Sequence, residues 1–176
     1  MKLTELAHKT LEAHFQNKGF EPDKKTKEEY KGRKACFVTL TKDGDLRGCV
    51  GSLEARQELW RDVIENAISA GFYDSRFLPL RKEELKKVRI GVSVLSAPKK
   101  LDYKNAEDLL KKINKKMGII LKKDFHSATF LPQVWEQISD KTNFLEQLSL
   151  KAGLNRDAWK TADISFYTVG IEKENL

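Results

Sequence analysis

Apolar residues recur along this chain with two different periods, and the periods divide it into helices and strands. Leu3, Leu6, Ala7, Leu11 and Phe15 share one helical face over residues 2–18, and Gly19 is placed to take the left-handed position after the helix end. Leu59, Val63, Ile64, Ala67, Ile68 and Gly71 form a stronger apolar stripe over residues 56–73. Residues 35–41 and 46–53 read as strands around Lys42-Asp43-Gly44-Asp45, a hairpin turn signal. Val88, Ile90, Val92 and Val94 alternate with Arg89, Gly91 and Ser93, the pattern of a half-buried strand. Between these blocks, residues 22–34 are a polar loop or short extra turn, and 81–87 a short helical stretch. Further on, Asn105 caps a helix over 106–117, and short strands follow at 119–121 and 126–131. Pro132 opens a helix through 138, residues 143–152 form another that stops at Gly153, and 164–172 is a closing strand. The mixture predicts an α+β fold with a mainly antiparallel sheet flanked by helices.

The hairpin can be registered. With Asp43 and Gly44 central in the turn, Lys42 pairs with Asp45, Leu40 with Arg47, Val38 with Cys49 and Cys36 with Gly51. Arg47, Cys49, Cys36 and Val38 then share one face, and the two cysteines are diagonal neighbours about 7–8 Å apart, too far for a relaxed disulfide.

A length of 176 residues fits a single domain over 1–176, with room for a main and a smaller lobe. Apolar residues make up 40% and charged residues 34%, and no apolar run is long enough to span a bilayer. Residues 1–20 are amphipathic and unlike a signal peptide, so a cytoplasmic location away from the membrane is expected. Cys36 and Cys49 are the two cysteines, which fits a reducing compartment. The net charge of +7 raises nucleic acid as a partner. The excess is mostly lysine, in pairs such as Lys111-Lys112, Lys115-Lys116 and Lys122-Lys123 within 99–123, whereas nucleic-acid grooves interleave arginine and aromatics. A solvated lysine face is the preferred reading, and nucleic-acid binding the alternative.

Chemistry concentrates in Leu46-Arg47-Gly48-Cys49-Val50-Gly51, where a cation, a thiol and two glycines interrupt an otherwise buried strand. Arg47 would favour the Cys49 thiolate and hold an anion, while Gly48 and Gly51 let a ligand approach the backbone. The competing reading makes Cys49 a structural cysteine, since no general base is identifiable. Asp74-Ser75-Arg76-Phe77 follows the strongest helix, and its Asp74 and Arg76 either bind substrate or brace the turn. In Thr129-Phe130-Leu131-Pro132-Gln133-Val134-Trp135, Gln133 stands at a helix start facing a ligand, and Trp135 is a core residue or a pocket wall. His8 and His14 lie six apart on different helical faces. With three histidines, no close His/Cys cluster and no HExxH, no metal site is expected. No Walker loop, dinucleotide fingerprint or GxSxG elbow is present, and no cofactor is expected.

Phe37 to Leu40 (FVTL), the hexapeptide LRGCVG, DSRF at 74–77, VSVL at 92–95, TFLPQVW at 129–135 and FLEQLSLKAGL at 144–154 together resemble the AMMECR-type domain family, whose prokaryotic members are called AmmeMemoRadiSam system protein A. The resemblance covers nearly the whole chain. It implies a larger lobe on an antiparallel sheet, a smaller lobe, and a cleft between them lined by the hexapeptide. Carried over by position, the site residues are Leu46, Arg47, Gly48, Cys49 and Gly51, with Asp74, Arg76 and Gln133. Val50 stands where Ile is usual, and Ser75 where many members have Pro. The family name implies a Memo-like protein and a radical SAM enzyme as partners in one pathway, but it fixes no reaction. The leading expectation is an anionic substrate bound at Arg47, with Cys49 as nucleophile or close contact. Non-catalytic nucleic-acid binding and an adaptor for the Memo-like partner are the alternatives.

Overall fold

The structure, a computed structural model, describes residues 1–173. In chain order the elements are α1 (Leu3–Phe15), α2 (Lys24–Glu29), β1 (Cys36–Lys42), β2 (Asp45–Gly51), α3 (Leu59–Ile68), β3 (Val88–Leu95), β4 (Lys99–Lys100), α4 (Ala106–Lys112), β5 (Gly118–Lys123), β6 (His126–Phe130), α5 (Lys141–Lys151), β7 (Asp163–Tyr167) and β8 (Val169–Lys173). The fold is α+β with two four-stranded sheets, ordered β2-β1-β3-β8 and β4-β7-β5-β6. The chain divides into two compact units, one holding residues 1–95 with the stretch from Gly170 onward, the other Ser96–Val169.

In the first unit, Cys36, Val38 and Leu40 of β1 and Val88, Ile90 and Val92 of β3 turn inward onto Leu6, Leu11, Val63 and Ala67 of α1 and α3. Each of these side chains is at most 5% exposed, so period-two and period-3.6 patterns meet in one core. No side chain of α1 caps its own first turn; Glu172 Oε1 from β8 accepts the Thr4 N–H at 2.9 Å instead. Its other end closes on Asn17 at φ 54°, with Lys18 N–H donating to Ala13 O and Asn17 N–H to His14 O. Asn17, and not the expected Gly19, therefore takes the left-handed position, since asparagine tolerates it and the turn arrives two residues sooner. The polar stretch 22–34 contains α2, capped by the Asp23 carboxylate on Thr26 N–H.

The expected long helix over 56–73 is α3 followed by a π-turn at Ser69–Tyr73. Residues 81–87 form successive turns and not a helix, with Glu84 N–H donating to Arg81 O and Val88 N–H to Glu84 O.

In the second unit, Trp135 is a core residue. It stacks on Phe144 at 3.6 Å and donates its indole N–H to Met117 O. α5 ends at Gly153, φ 75°, where Leu154 N–H reaches Ser149 O. The expected single strand over 164–172 divides at Thr168 into β7 of one sheet and β8 of the other.

Candidate functional site

The hairpin carries one residue more on β2 than on β1. Leu40 pairs with Gly48 and Thr41 with Leu46, which leaves Arg47 unpaired in a bulge. The expected register is corrected by one residue beyond that point: Val38 faces Val50, Thr39 faces Cys49 and Phe37 faces Gly51. Cys36 therefore points into the core, while Cys49 stands on the opposite sheet face beside Thr39, sharing a hydrogen bond between Sγ and Thr39 Oγ1 at 3.2 Å. The two cysteines are not diagonal neighbours.

The glycines are filled from within. A Cβ on Gly48 would lie 2.1 Å from the Ala70 carbonyl oxygen of the π-turn, and one on Gly51 would lie 2.3 Å from the Phe37 ring. Gly48 thus brings the π-turn backbone directly onto β2. The space the sequence reading reserved for a ligand over these two residues belongs to the protein's own atoms.

That contact delivers Asp74 to the free edge of β2. Asp74 Oδ2 accepts the Cys49 N–H at 2.9 Å, and Arg76 donates from Nη2 to the Cys49 carbonyl at 3.1 Å. Arg76 also grips Asp74, Nη2 to Oδ2 at 2.7 Å and Nε to Oδ1 at 2.9 Å. Both polar groups of the Cys49 peptide point away from β1, so Thr39 and Cys49 form a non-hydrogen-bonded pair whose side chains lie close. Arg76 holds the Asp74 carboxyl far below the usual carboxylate range, assisted by the Cys49 N–H. The guanidinium beside Cys49 is that of Arg76.

Arg47 is aimed elsewhere. Its Nη2 donates to Glu84 Oε2 at 3.0 Å and its Nε to Oε1 at 3.3 Å, a fork on one carboxylate. Lys42 Nζ donates to Oε1 at 3.0 Å and the Arg81 N–H to Oε2 at 3.0 Å. Glu84 is consequently pushed down to about 2, chiefly by Arg47. Beside this cluster opens a pocket of about 560 Å³ whose walls combine Lys42, Arg47, Arg81 and Glu84 with Phe77 and Leu78. Leu78 is 76% exposed. A second pocket, about 440 Å³ around Tyr30, Val94 and Ile171, brings no comparable set of donors together.

Lys42, Arg81 and Glu84 were missed by sequence reasoning; the one available signal was the Arg81-to-Glu84 spacing of a reciprocal cap, in which the glutamate reaches back to an N–H three residues earlier. Asp62 and Asn66, inside the apolar stripe of α3, were missed as well. Asp62 accepts from Cys36 N–H, Ser52 Oγ, Gln57 and Asn66, a buried anchor for the start of β1. Gln133 is exposed on a 3-10 turn, Pro132–Glu136, of the second unit. Among the described residues no group of three or more His, Cys, Asp or Glu is close enough to hold a metal ion, and no helix is long and apolar enough to cross a membrane.

These features can be set beside known proteins. The AMMECR1 family profile matches residues 4–173. Protein NEQ441 of Nanoarchaeum equitans is 40% identical over 162 residues, 90% of each chain. Protein MK0488 of Methanopyrus kandleri is 36% identical over 170 residues, 94% of this chain and 82% of that one. The crystal structure of uncharacterized protein PH0010 from Pyrococcus horikoshii superposes with a TM-score of 0.83 at 29% identity, covering 99% of this chain and 95% of that one. The chain belongs to the AMMECR1 family.

Proposed function

We propose that the chain binds an anionic ligand in the pocket beside Arg47. It would act as an enzyme or substrate-handling component of a cytoplasmic pathway shared with a Memo-like protein and a radical SAM enzyme. One observation carries the reading: two cationic side chains and a backbone N–H, from Lys42, Arg47 and Arg81, converge on a single carboxylate at the pocket wall. This donor set recognises carboxylates and phosphates, and a guanidinium offered side-on does so with fixed geometry. Phe77 and Leu78 suit a ligand with an apolar body behind its anionic head.

In this reading Arg47 and Lys42 hold the head group. Cys49, two residues along β2 from Arg47 and outside the residues that line this pocket, is in this reading the nucleophile or a close contact for a ligand that extends past Arg47. Asp74 and Arg76 are positioning residues, since they fix the peptide that carries the thiol. The pathway partners rest on the family resemblance alone.

Phenyl phosphate, an anionic head on an apolar ring, is a suitable probe. A saturable rise in Tm is expected with the wild-type protein, and its loss in Arg47→Met. A rise of equal size in Arg47→Met would refute the assignment.

A further inference from the structure

We infer that Glu84 is a built-in occupant of the Arg47 site, a carboxylate that an incoming anion must displace, so that the chain itself keeps the site closed until a ligand outcompetes it. The inference rests on the anion-binding reading above and adds its regulation.

The seat is built like a ligand site. Glu84 receives four donors on its two oxygens, from Lys42 Nζ, Arg47 Nε and Nη2, and Arg81 N–H. Arg47 reaches it because the bulge turns that residue out of the ladder. The carboxylate is nevertheless not sealed in, since the Glu84 side chain is 18% exposed and forms part of the pocket wall.

The turn that carries Glu84 is capped by its side chain on the Arg81 N–H but is also held by backbone bonds. Glu84 N–H donates to Arg81 O at 3.0 Å, Lys87 N–H to Glu84 O at 2.8 Å and Val88 N–H to Glu84 O at 3.0 Å. The side chain can swing into water while these backbone bonds persist. A carboxylate or phosphate arriving at Arg47 and Lys42 would replace one anionic partner with another, and Glu84 would be rehydrated. Affinity at this site is then the ligand's own contacts less the cost of evicting Glu84.

The test compares phenyl phosphate binding to wild-type protein, Glu84→Gln and Glu84→Gln/Arg47→Met. Removing the internal competitor is expected to tighten binding about tenfold or more, and the double variant to lose the gain. Equal affinity of wild type and Glu84→Gln would overturn the latch and leave the anion site standing. Binding by neither would remove the anion-binding reading itself. A second measurement needs no variant: during titration of the wild type, the Glu84 side-chain carboxyl carbon resonance should shift in step with Arg47 Nε. A stationary Glu84 beside a moving Arg47 would also overturn the latch.

Discussion

Asp74 accepts the backbone N–H of Cys49 at 2.9 Å, and so anchors the exposed edge of the hairpin at the residue that carries the thiol. Edge strands invite foreign pairing, and here both outward backbone groups of one residue, Cys49, are consumed by Asp74 and Arg76. Asp74→Ala should cost about 3 kcal/mol in urea unfolding, because it strands a half-enclosed N–H and deprives Arg76 of its partner. Arg76, whose side chain is 54% exposed, should cost about 1 kcal/mol on conversion to alanine. Equal, small effects would show that the edge is held by other groups.

Gly48→Ala should be among the most damaging small substitutions in the first unit. Its Cβ would fall 2.1 Å from a backbone oxygen, which cannot yield as a flexible side chain would. A loss of about 3 kcal/mol is expected, against a near-neutral Gly32→Ala, where the same atom meets nothing within 4 Å. Circular dichroism melts of the two variants suffice for the comparison.

Acid should weaken the first unit through two carboxylates. Glu84 is depressed to about 2, mainly by Arg47, and Asp74 is depressed further, mainly by Arg76. A carboxylate lowered in the folded state contributes stability above its unfolded pKa of about 4.3 and loses it as pH falls toward the folded value. Unfolding free energy should therefore be level near neutrality and decline from about pH 4.5 downward. Arg47→Met should shrink the Glu84 part of that decline, which is on the order of 2 kcal/mol between pH 5 and 2, and leave the share owed to Lys42 and the Arg81 N–H.

The two thiols should react very differently. Cys36 is fully buried and its thiol is pushed well up by burial and by Asp62, whereas Cys49 is partly exposed. Native protein should release one equivalent from a thiol reagent and denatured protein two, and the native equivalent should vanish in Cys49→Ser. Two native equivalents would contradict the burial of Cys36.

The elements were largely legible where periodicity was strong. The stripe from Leu59 to Ala67 and the alternation from Val88 to Val94 reappear as α3 and β3 because burial on one face writes such patterns. The Asp43-Gly44 turn was legible too, both residues adopting positive φ. The register beyond it was not. A bulge adds one residue without altering composition, so nothing in the run LRGCVG reveals that Arg47 is the unpaired one. The same displacement hid the partner of Arg47: Glu84 lies 37 residues away in an irregular turn, where no period brings it forward. Asp74 and Arg76 were legible as residues but not as a clamp on Cys49, since that contact depends on the π-turn seated against Gly48.

The most direct test of the account is the nitrogen chemical shift of the Arg47 side chain in the wild-type protein during titration with phenyl phosphate. The account predicts a saturable shift of Arg47 Nε, with Arg76 Nε unmoved because it stays locked on Asp74 and the Cys49 carbonyl. An unmoved Arg47 at high probe concentration, or a response centred on Arg76, would contradict it.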